Sequence, residues 1–404
     1  MSMYENSSKS DVSRRSFLRT VGVTLSGSLY MRFASSDAFA ARSPQYMVPF
    51  TDPMFGSRVT KVTNPNNPVP GLDLTWGNIA IHHYSIDQAW NADQTLLRLD
   101  RGTAPKIFLD GHTYKPLMAL KSPGDIRWHR VQPDHMVFLS DQGVGLWNVR
   151  KNTTQILDPL SGYTGANFGK NKGNLSDDGT MLAILANRAD GKAVVFAYNL
   201  VTGERHPDID LSAEHRLGWT TISPSGSYIV SYSQERDTDA HHLRRIFAID
   251  GRLIQTWSEY ERPGHGDFMI DRDGDEVAIG RSKSEPDKYR IIKRRLVDGK
   301  VTTISPPCYA SHCSVRNLGN PGWVFATFTP NAGKPGYAPF NGEVTALATD
   351  GTGRARRLAQ TNVAPNGYYT EPHGSPSPDG KKAIFSSNWG VSTGPIAAYV
   401  AEFL

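Results

Sequence analysis

Cysteine is nearly absent. The 404 residues contain two, Cys308 and Cys313, which is too few for a disulfide scaffold, and no Cys-x-x-Cys pair suggests a zinc ribbon. A haem-attachment Cys-x-x-Cys-His is missing too, which argues against a haem-dependent redox protein. Long apolar runs are also lacking, so a membrane-spanning helix is not expected. Helical periodicity is scarce: no stretch longer than about ten residues repeats apolar residues at three and four. Charge is modest, with 21% charged residues and a formal +5, and that excess does not by itself argue for nucleic acid. What is present is a core: 38% hydrophobic residues and eight Trp, enough to exclude general disorder. The 37 Gly and 26 Pro have no period, so collagen is excluded and many turns are expected.

Residues 1–40 read as an export signal. Arg14 and Arg15 precede Phe17 and Leu18, a weakly apolar stretch runs from Val21 to Phe33, and Ala38-Phe39-Ala40 offers small residues for cleavage. Basic, apolar and small residues in that order make a secretory signal, and the paired arginines make it a twin-arginine address. The expectation is a periplasmic or secreted protein whose mature part is one domain, residues 41–404, without a membrane anchor.

That mature part repeats. The clearest unit is HGSPSPDGKKAIFSSN from His373, and WTTISPSGSYIVSYS from Trp219 has the same shape. Related units start at residues 87, 128, 172, 265 and 312, with spacings of 41 to 47 residues and one of 61. Seven units of that period, each with tight Asp-Gly-type turns between short apolar strands, predict an all-β, seven-bladed β-propeller. The segment from Val59 to Leu74 is expected to give a strand to the last blade and close the ring. Residues 330–342 form the insertion behind the longest spacing and are expected on a binding face.

The residue opening each unit is expected beside the central channel. These residues are Asp87, Trp128 with His129, Lys172, Trp219, His265, His312 and His373. Three consecutive units open with histidine. Imidazoles gathered from adjacent blades suit Mn²⁺, Zn²⁺ or a similar divalent ion, with Ca²⁺ as a further possibility. The alternative is a set of channel histidines bonded to backbone or water. Cys313 follows His312 directly. With Cys308 it is a thiolate ligand, half of a small disulfide, or a reduced core residue, and the sequence leaves all three open.

The turn between second and third strands shares a face with the opening residue and holds Arg101, Arg188, Arg236 and Arg281. Such a collar suits an anionic ligand, with ordinary surface arginine as the alternative. Trp90, Trp128, Trp219, Trp389, Tyr84 and Tyr309 either stack on sugar rings or pack between blades. His82, His83 and His129, in loops entering units one and two, are candidate acid–base groups placed across the channel from the metal.

The chain resembles polysaccharide lyases built on a seven-bladed β-propeller, the oligogalacturonate lyases and propeller ulvan lyases. The resemblance spans most of residues 50–400. It is carried by HHYSIDQAWNAD (82–93), PGHGDFMIDRDGDEV (263–277), SHCSVRN (311–317) and above all EPHGSPSPDGKKAIFSSNWG (371–390). The oligogalacturonate-lyase likeness implies a divalent metal on His265, His312 and His373. No glutamine stands near His312 to complete that family's ligand set, and Cys313 or Asn317 is the candidate substitute. The ulvan-lyase likeness implies His83 and His129 as the histidine pair, Tyr232 or Tyr309 as acid and Arg236 or Arg188 as the uronate clamp.

The chemistry this implies is β-elimination on a 4-linked uronic acid in an anionic plant or algal polysaccharide or oligosaccharide, such as ulvan or oligogalacturonate. His83 would take the C5 proton, and Trp128, Trp219, Arg281, Tyr309 and Arg101 would bind substrate. The protein is expected to act as a monomer or weak dimer. No paired carboxylates of the hydrolase kind stand out. Two alternatives remain: an enzyme acting on terminal rhamnose–glucuronate links, and a non-catalytic carbohydrate-binding propeller.

Overall fold

The computed structural model describes residues 43–101, 105–170, 172–214, 216–233, 242–330 and 339–404. The expected export signal, Arg236 and most of the 330–342 insertion lie outside the described residues.

Seven antiparallel sheets follow one another along the chain. Blade one contains Leu96–Leu99, Lys106–Asp110 and Pro116–Leu120, with Trp90 bridged to Leu97 on the channel side. Blade two is Asp125–Trp128, His135–Ser140, Gly143–Asn148 and Thr153–Asp158. Blade three is Tyr163–Asn167, Met181–Arg188, Ala193–Asn199 and Ile209–Asp210. Blade four is Leu217–Ile222, Tyr228–Ser233, Leu243–Ala248 and Leu253–Ser258. Blade five is Gly264–Ile270, Glu276–Arg281, Ile291–Arg295 and Val301–Thr303. Blade six is His312–Ser314, Trp323–Thr327, Glu343–Ala348 and Ala355–Gln360. Blade seven is Ser375–Pro376, Lys382–Ser387 and Ile396–Glu402, completed by Arg58–Lys61 from the start of the domain. That last pairing closes the ring as expected and leaves neither end of the array as an open edge.

Middle strands are apolar on both faces because each is covered by a neighbouring blade. Lys382–Ser387 is buried throughout. Between blades one and two, Phe108 packs edge-on against Trp128 and Trp147. The alternating pattern of a one-sided sheet is therefore weak, and turn chemistry carries the repeat instead.

The first turn of every blade shows the same backbone closure. N–H groups of Gln94, His135, Gly179, Gly226, Gly274, Asn320 and Gly380 donate to the carbonyls of Asn91, Gln132, Ser176, Ser223, Asp271, Asn317 and Ser377. Gly226 and Gly274 take φ of 81° and 83° there, the left-handed conformation glycine adopts at least cost. These turns lie at one end of the channel, the foot. The starts of the inner strands lie at the other, the mouth.

Blade two departs from the register the sequence suggests. Trp128 pairs with Met136 as Ile222 pairs with Ile229. His129 N–H bonds the His135 carbonyl where Ser223 N–H bonds that of Tyr228. The Gln-Pro-Asp-His turn is one residue longer than the Ser-Pro-Ser-Gly turn it imitates, so Asp125, not Trp128, opens this blade.

Candidate active site and metal centre

Three adjacent inner strands deliver the histidines to one place at the mouth. His312 begins its strand, His373 stands two residues before Ser375–Pro376, and His265 is second in Gly264–Ile270. Ring centroids are 4.3 Å apart for His312 and His373 and 5.2 Å for His265 and His312. His312 and His373 are each 1% exposed, whereas His265 is exposed to the channel. His265 and His373 both adopt φ of 48°, a conformation that costs a non-glycine residue about 1 kcal/mol or more and is found at functional sites.

A carboxylate completes the cluster. Glu371 Oε2 lies 3.5 Å from His312 Nε2, and one ligand atom each from His312, Glu371 and His373 fall within 4.8 Å of one another. His373 Nε2 donates to the Tyr368 carbonyl at 3.0 Å, which leaves Nδ1 with its lone pair. The Nδ1 atoms of His312 and His373 are buried without any hydrogen-bond partner. Burial pushes the His373 pKa down to about 3 and that of His312 well below normal, with neighbouring histidines adding to both effects. Neutral imidazoles with orphaned lone pairs beside a carboxylate form a donor set that fits a divalent ion such as Mn²⁺ or Zn²⁺. Glu371 was legible only as the first letter of the EPHG motif.

Cys313 points the other way. Strand alternation turns it into an apolar cluster with Cys308, Val315, Ala326 and Phe328, and both thiols are free and buried. Burial pushes Cys308 up to about 11 and Cys313 higher still. Of the three readings open for the cysteines, the structure selects reduced core residues.

Beside His265 opens a cleft of about 180 Å³ lined by Tyr84, Ile86, Lys172, Trp219, Tyr232, Arg244, Arg262, His265 and Gly266. Among the described residues no Asp or Glu lines it. Arg244 is 3% exposed, lies over the Trp219 and Phe268 rings at 5.6 and 5.3 Å, and has no carboxylate partner among the described residues. Burial, with Arg262 adding to it, pushes its pKa down to about 9. Arg262 donates to the Tyr232 hydroxyl at 2.9 Å and to Glu259 at 2.6 Å. Burial, Arg101 and Arg262 lower Lys172. Arg281 donates to the Ala310 carbonyl and lies 4.0 Å over the Tyr309 ring. Arg101 lies over Tyr368 and Tyr369 at 5.3 and 5.5 Å.

The other expected residues are placed differently. His83 turns away, donating from Nδ1 at 2.8 Å to Asp87, which in turn binds Arg98. Tyr84 instead faces the cluster, 5.3 Å from His312 and 5.1 Å from His373. His82 is buried and bonds the His373 carbonyl through Nε2 at 2.6 Å. His129 does not lie across the mouth. It sits in the foot turn, where its Nδ1 accepts the N–H groups of Val131 and Gln132. Trp128 is 2% exposed and donates to the Ala89 carbonyl, so it packs blades rather than sugars. Arg188 is paired with Asp190 at 2.5 Å. Trp219 and Tyr232 do line the cleft. Arg244 and Arg262 had no signal in the sequence, because neither stands at a repeated position.

No family model and no curated protein matches the sequence. Among solved structures the chain is similar to an oligogalacturonate lyase in complex with manganese, at TM-score 0.63 and 16% identity over 88% of this chain and 96% of that one. It is also similar to the oligogalacturonate lyase of Vibrio parahaemolyticus, at TM-score 0.57 and 16% identity over the same shares. The protein thus has the seven-bladed propeller fold of oligogalacturonate lyases.

Proposed function

We propose that this protein is a polysaccharide lyase that cleaves a 4-linked uronic acid bond in an anionic polysaccharide or oligosaccharide by β-elimination. The observation carrying this reading is the pairing of a His312–Glu371–His373 cluster with a neighbouring cleft lined by cations and, among the described residues, no carboxylate. An acidic chain is attracted to that cleft, and no described residue lining it is equipped as the second carboxylate of a hydrolase.

His312, Glu371 and His373 would hold a divalent ion, which when bound supplies Lewis acidity toward the uronate carboxylate. Arg244 and Lys172 supply positive charge where the C6 carboxylate gains electron density as C5 loses its proton. His265, exposed in the cleft and held neutral by its surroundings, is positioned as the base. Its pKa is pushed down to about 4 by burial and by Arg281, Arg262 and Lys172. Tyr232, oriented by Arg262, is the candidate donor to the leaving O4. The C5–H bond breaks, its electron pair forms the C4–C5 double bond, and the C4–O4 bond breaks with a proton delivered to oxygen. This reading moves the base from His83 to His265 and takes His265 out of the expected ligand set, where Glu371 joins His312 and His373. The twin-arginine signal extends the proposal to an exported enzyme.

The test is absorbance near 235 nm over time on oligogalacturonate, ulvan and glucuronan, with and without Mn²⁺ or Zn²⁺. A rise abolished in His265→Ala supports the assignment. New reducing ends without a rise would make the protein a hydrolase.

A further inference from the structure

The inner strands are tied to one another below the histidines. Gln88 Nε2 donates to the Arg316 carbonyl and Asn174 Nδ2 to the Ile86 carbonyl, both at 2.8 Å, tying blades across the axis. Under these ties lies a second cavity, of about 390 Å³, walled by foot turns and inner-strand ends. Nothing in the elimination chemistry uses it.

Its polar wall is unevenly satisfied. Arg316 is charge-paired, with Nε and Nη2 on the two Asp267 oxygens at 2.8 and 2.9 Å. Gln88 is committed too, its Oε1 accepting the Trp90 N–H. Three groups differ. Arg130 makes one long bond, Nη2 to Asn174 Oδ1 at 3.3 Å, and its Nε is buried without a partner. Among the described residues it has no carboxylate partner. Asp177 has a buried Oδ1 with no donor and no ion pair among the described residues. His129 accepts two backbone N–H groups at Nδ1, which puts the ring proton on Nε2, toward no protein acceptor among the described residues. Gly179 keeps the wall thin here, since an added Cβ would lie 3.1 Å from Arg130 Cβ and 3.2 Å from His129 Cε1.

Buried polar groups are normally paired, and a cation and an anion left apart in one cavity call for a ligand that bridges them. We propose that the foot cavity is a second binding site, for a small carboxylate that carries a hydroxyl or ammonium donor next to its acid group. The carboxylate lies against the Arg130 guanidinium and the His129 Nε2–H, two donors from consecutive residues. The donor group meets Asp177. An anion lacking the donor leaves Asp177 unpaired, and a neutral sugar leaves Arg130 unpaired. Sugar acids and amino acids share the required chemistry. The site shares no lining residue with the cleft at the mouth, and it stands independently of the lyase reading.

Trp90 and Trp128 line the cavity, so their indole N–H signals report occupancy of the foot and not of the mouth. The full-length folded protein, labelled with ¹⁵N at tryptophan, is titrated with four probes: D-galacturonate, L-alanine, acetate and D-galactose. Saturable shifts of these two signals are expected with galacturonate or with alanine, and which of the two binds names the source. Acetate and galactose should bind at least about tenfold more weakly, the effect of one lost polar pairing. Arg130→Gln and Asp177→Asn should each weaken binding by about tenfold or more, Arg130→Lys should retain part of it, and His265→Ala should leave it unchanged. The proposal is overturned if no probe gives saturable shifts, if acetate binds as tightly as the bifunctional probes, or if a folded Arg130→Gln protein binds like the parent.

Discussion

Replacing Arg244 by methionine separates what the cleft does for stability from what it does for an acidic ligand. The guanidinium is 3% exposed, its Nε is buried without an acceptor, and it sits among the rings of Trp219 and Phe268. Burial and Arg262 push its pKa down to about 9, and at 1.36 kcal/mol per unit keeping the charge costs at most roughly 5 kcal/mol. Arginine does not release its proton in practice, so the cost is carried as lost stability until an anion arrives. Cation–π contacts and packing of the stem return about 2–3 kcal/mol. Methionine keeps most of the packing without the charge. Arg244→Met is therefore expected to be more stable than the parent by about 1–3 kcal/mol, as with other unpaired buried charges. The same change removes a charge-assisted contact to the ligand, about 2–4 kcal/mol, or about 30- to 1,000-fold in kcat/KM. Urea unfolding with and without oligouronate reads both effects. The parent should gain stability with ligand by mass action, and the variant should gain little. A variant less stable than the parent by over about 1 kcal/mol, with unchanged turnover, would make Arg244 a packing residue and refute the reasoning.

Protein loaded with Mn²⁺ or Zn²⁺ and desalted should retain about one ion per chain, and His312→Ala or His373→Ala should cut affinity by at least the 10–100-fold typical of lesser changes around a metal. Elemental analysis decides this, and equal retention in parent and variants would contradict the ligand set. Asp87 is raised by burial but lowered further by Arg98, Arg127 and His83, leaving it well below the usual carboxylate range. Its contribution is complete above the unfolded value of about 4 and fades as pH falls below that. Asp87→Asn should cost about 1–3 kcal/mol in urea melts at pH 7 because it leaves the buried Arg98 with Asp100 as its one carboxylate partner among the described residues, and the deficit should shrink on acidification below pH 4. A deficit unchanged from pH 7 to pH 3 would count against that account. Thr60 pairs with Val400 in the closing strand, so Thr60→Pro, which removes a ladder donor, should lower stability by about 3 kcal/mol. Thermal unfolding unchanged from the parent would mean the closing strand contributes little.

The propeller was legible because its punctuation is chemical. Ser223, Asp271 and Ser377 open tight turns that only a few residue types can make, and seven such turns at one period leave little choice of architecture. The same dependence explains the slip in blade two. Gln132-Pro133-Asp134-His135 reads like Ser-Pro-Asp-Gly, and nothing in the letters reveals the extra residue that moves His129 to the foot. His82, His83 and Tyr84 posed a different problem. They lie outside regular strand, so alternation could not say which would face the channel, and Tyr84 does.

The centre of the candidate site forms where the repeat is broken. By pairing register Asp267, not His265, is the counterpart of Trp219, since Ile270 pairs with Glu276 as Ile222 pairs with Ile229. Asp267 accordingly takes a structural task, holding Arg316 from the next blade. The ladder shifts register between Gly264 and Asp267, and this irregularity lifts His265 two positions toward the mouth and leaves it exposed. Glu371 likewise precedes its blade, beyond the part of the unit that repeats. Bulges and entry loops let a repeating scaffold place a side chain that the repeat itself would bury or omit. A period finds the blades because it averages over such departures, and for that reason it cannot by itself find the base or complete the ligand set. Those depend on three-dimensional closure: an arginine on a third strand, an acid before a first strand and a histidine on a bulge meet only when the ring is shut by Arg58–Lys61.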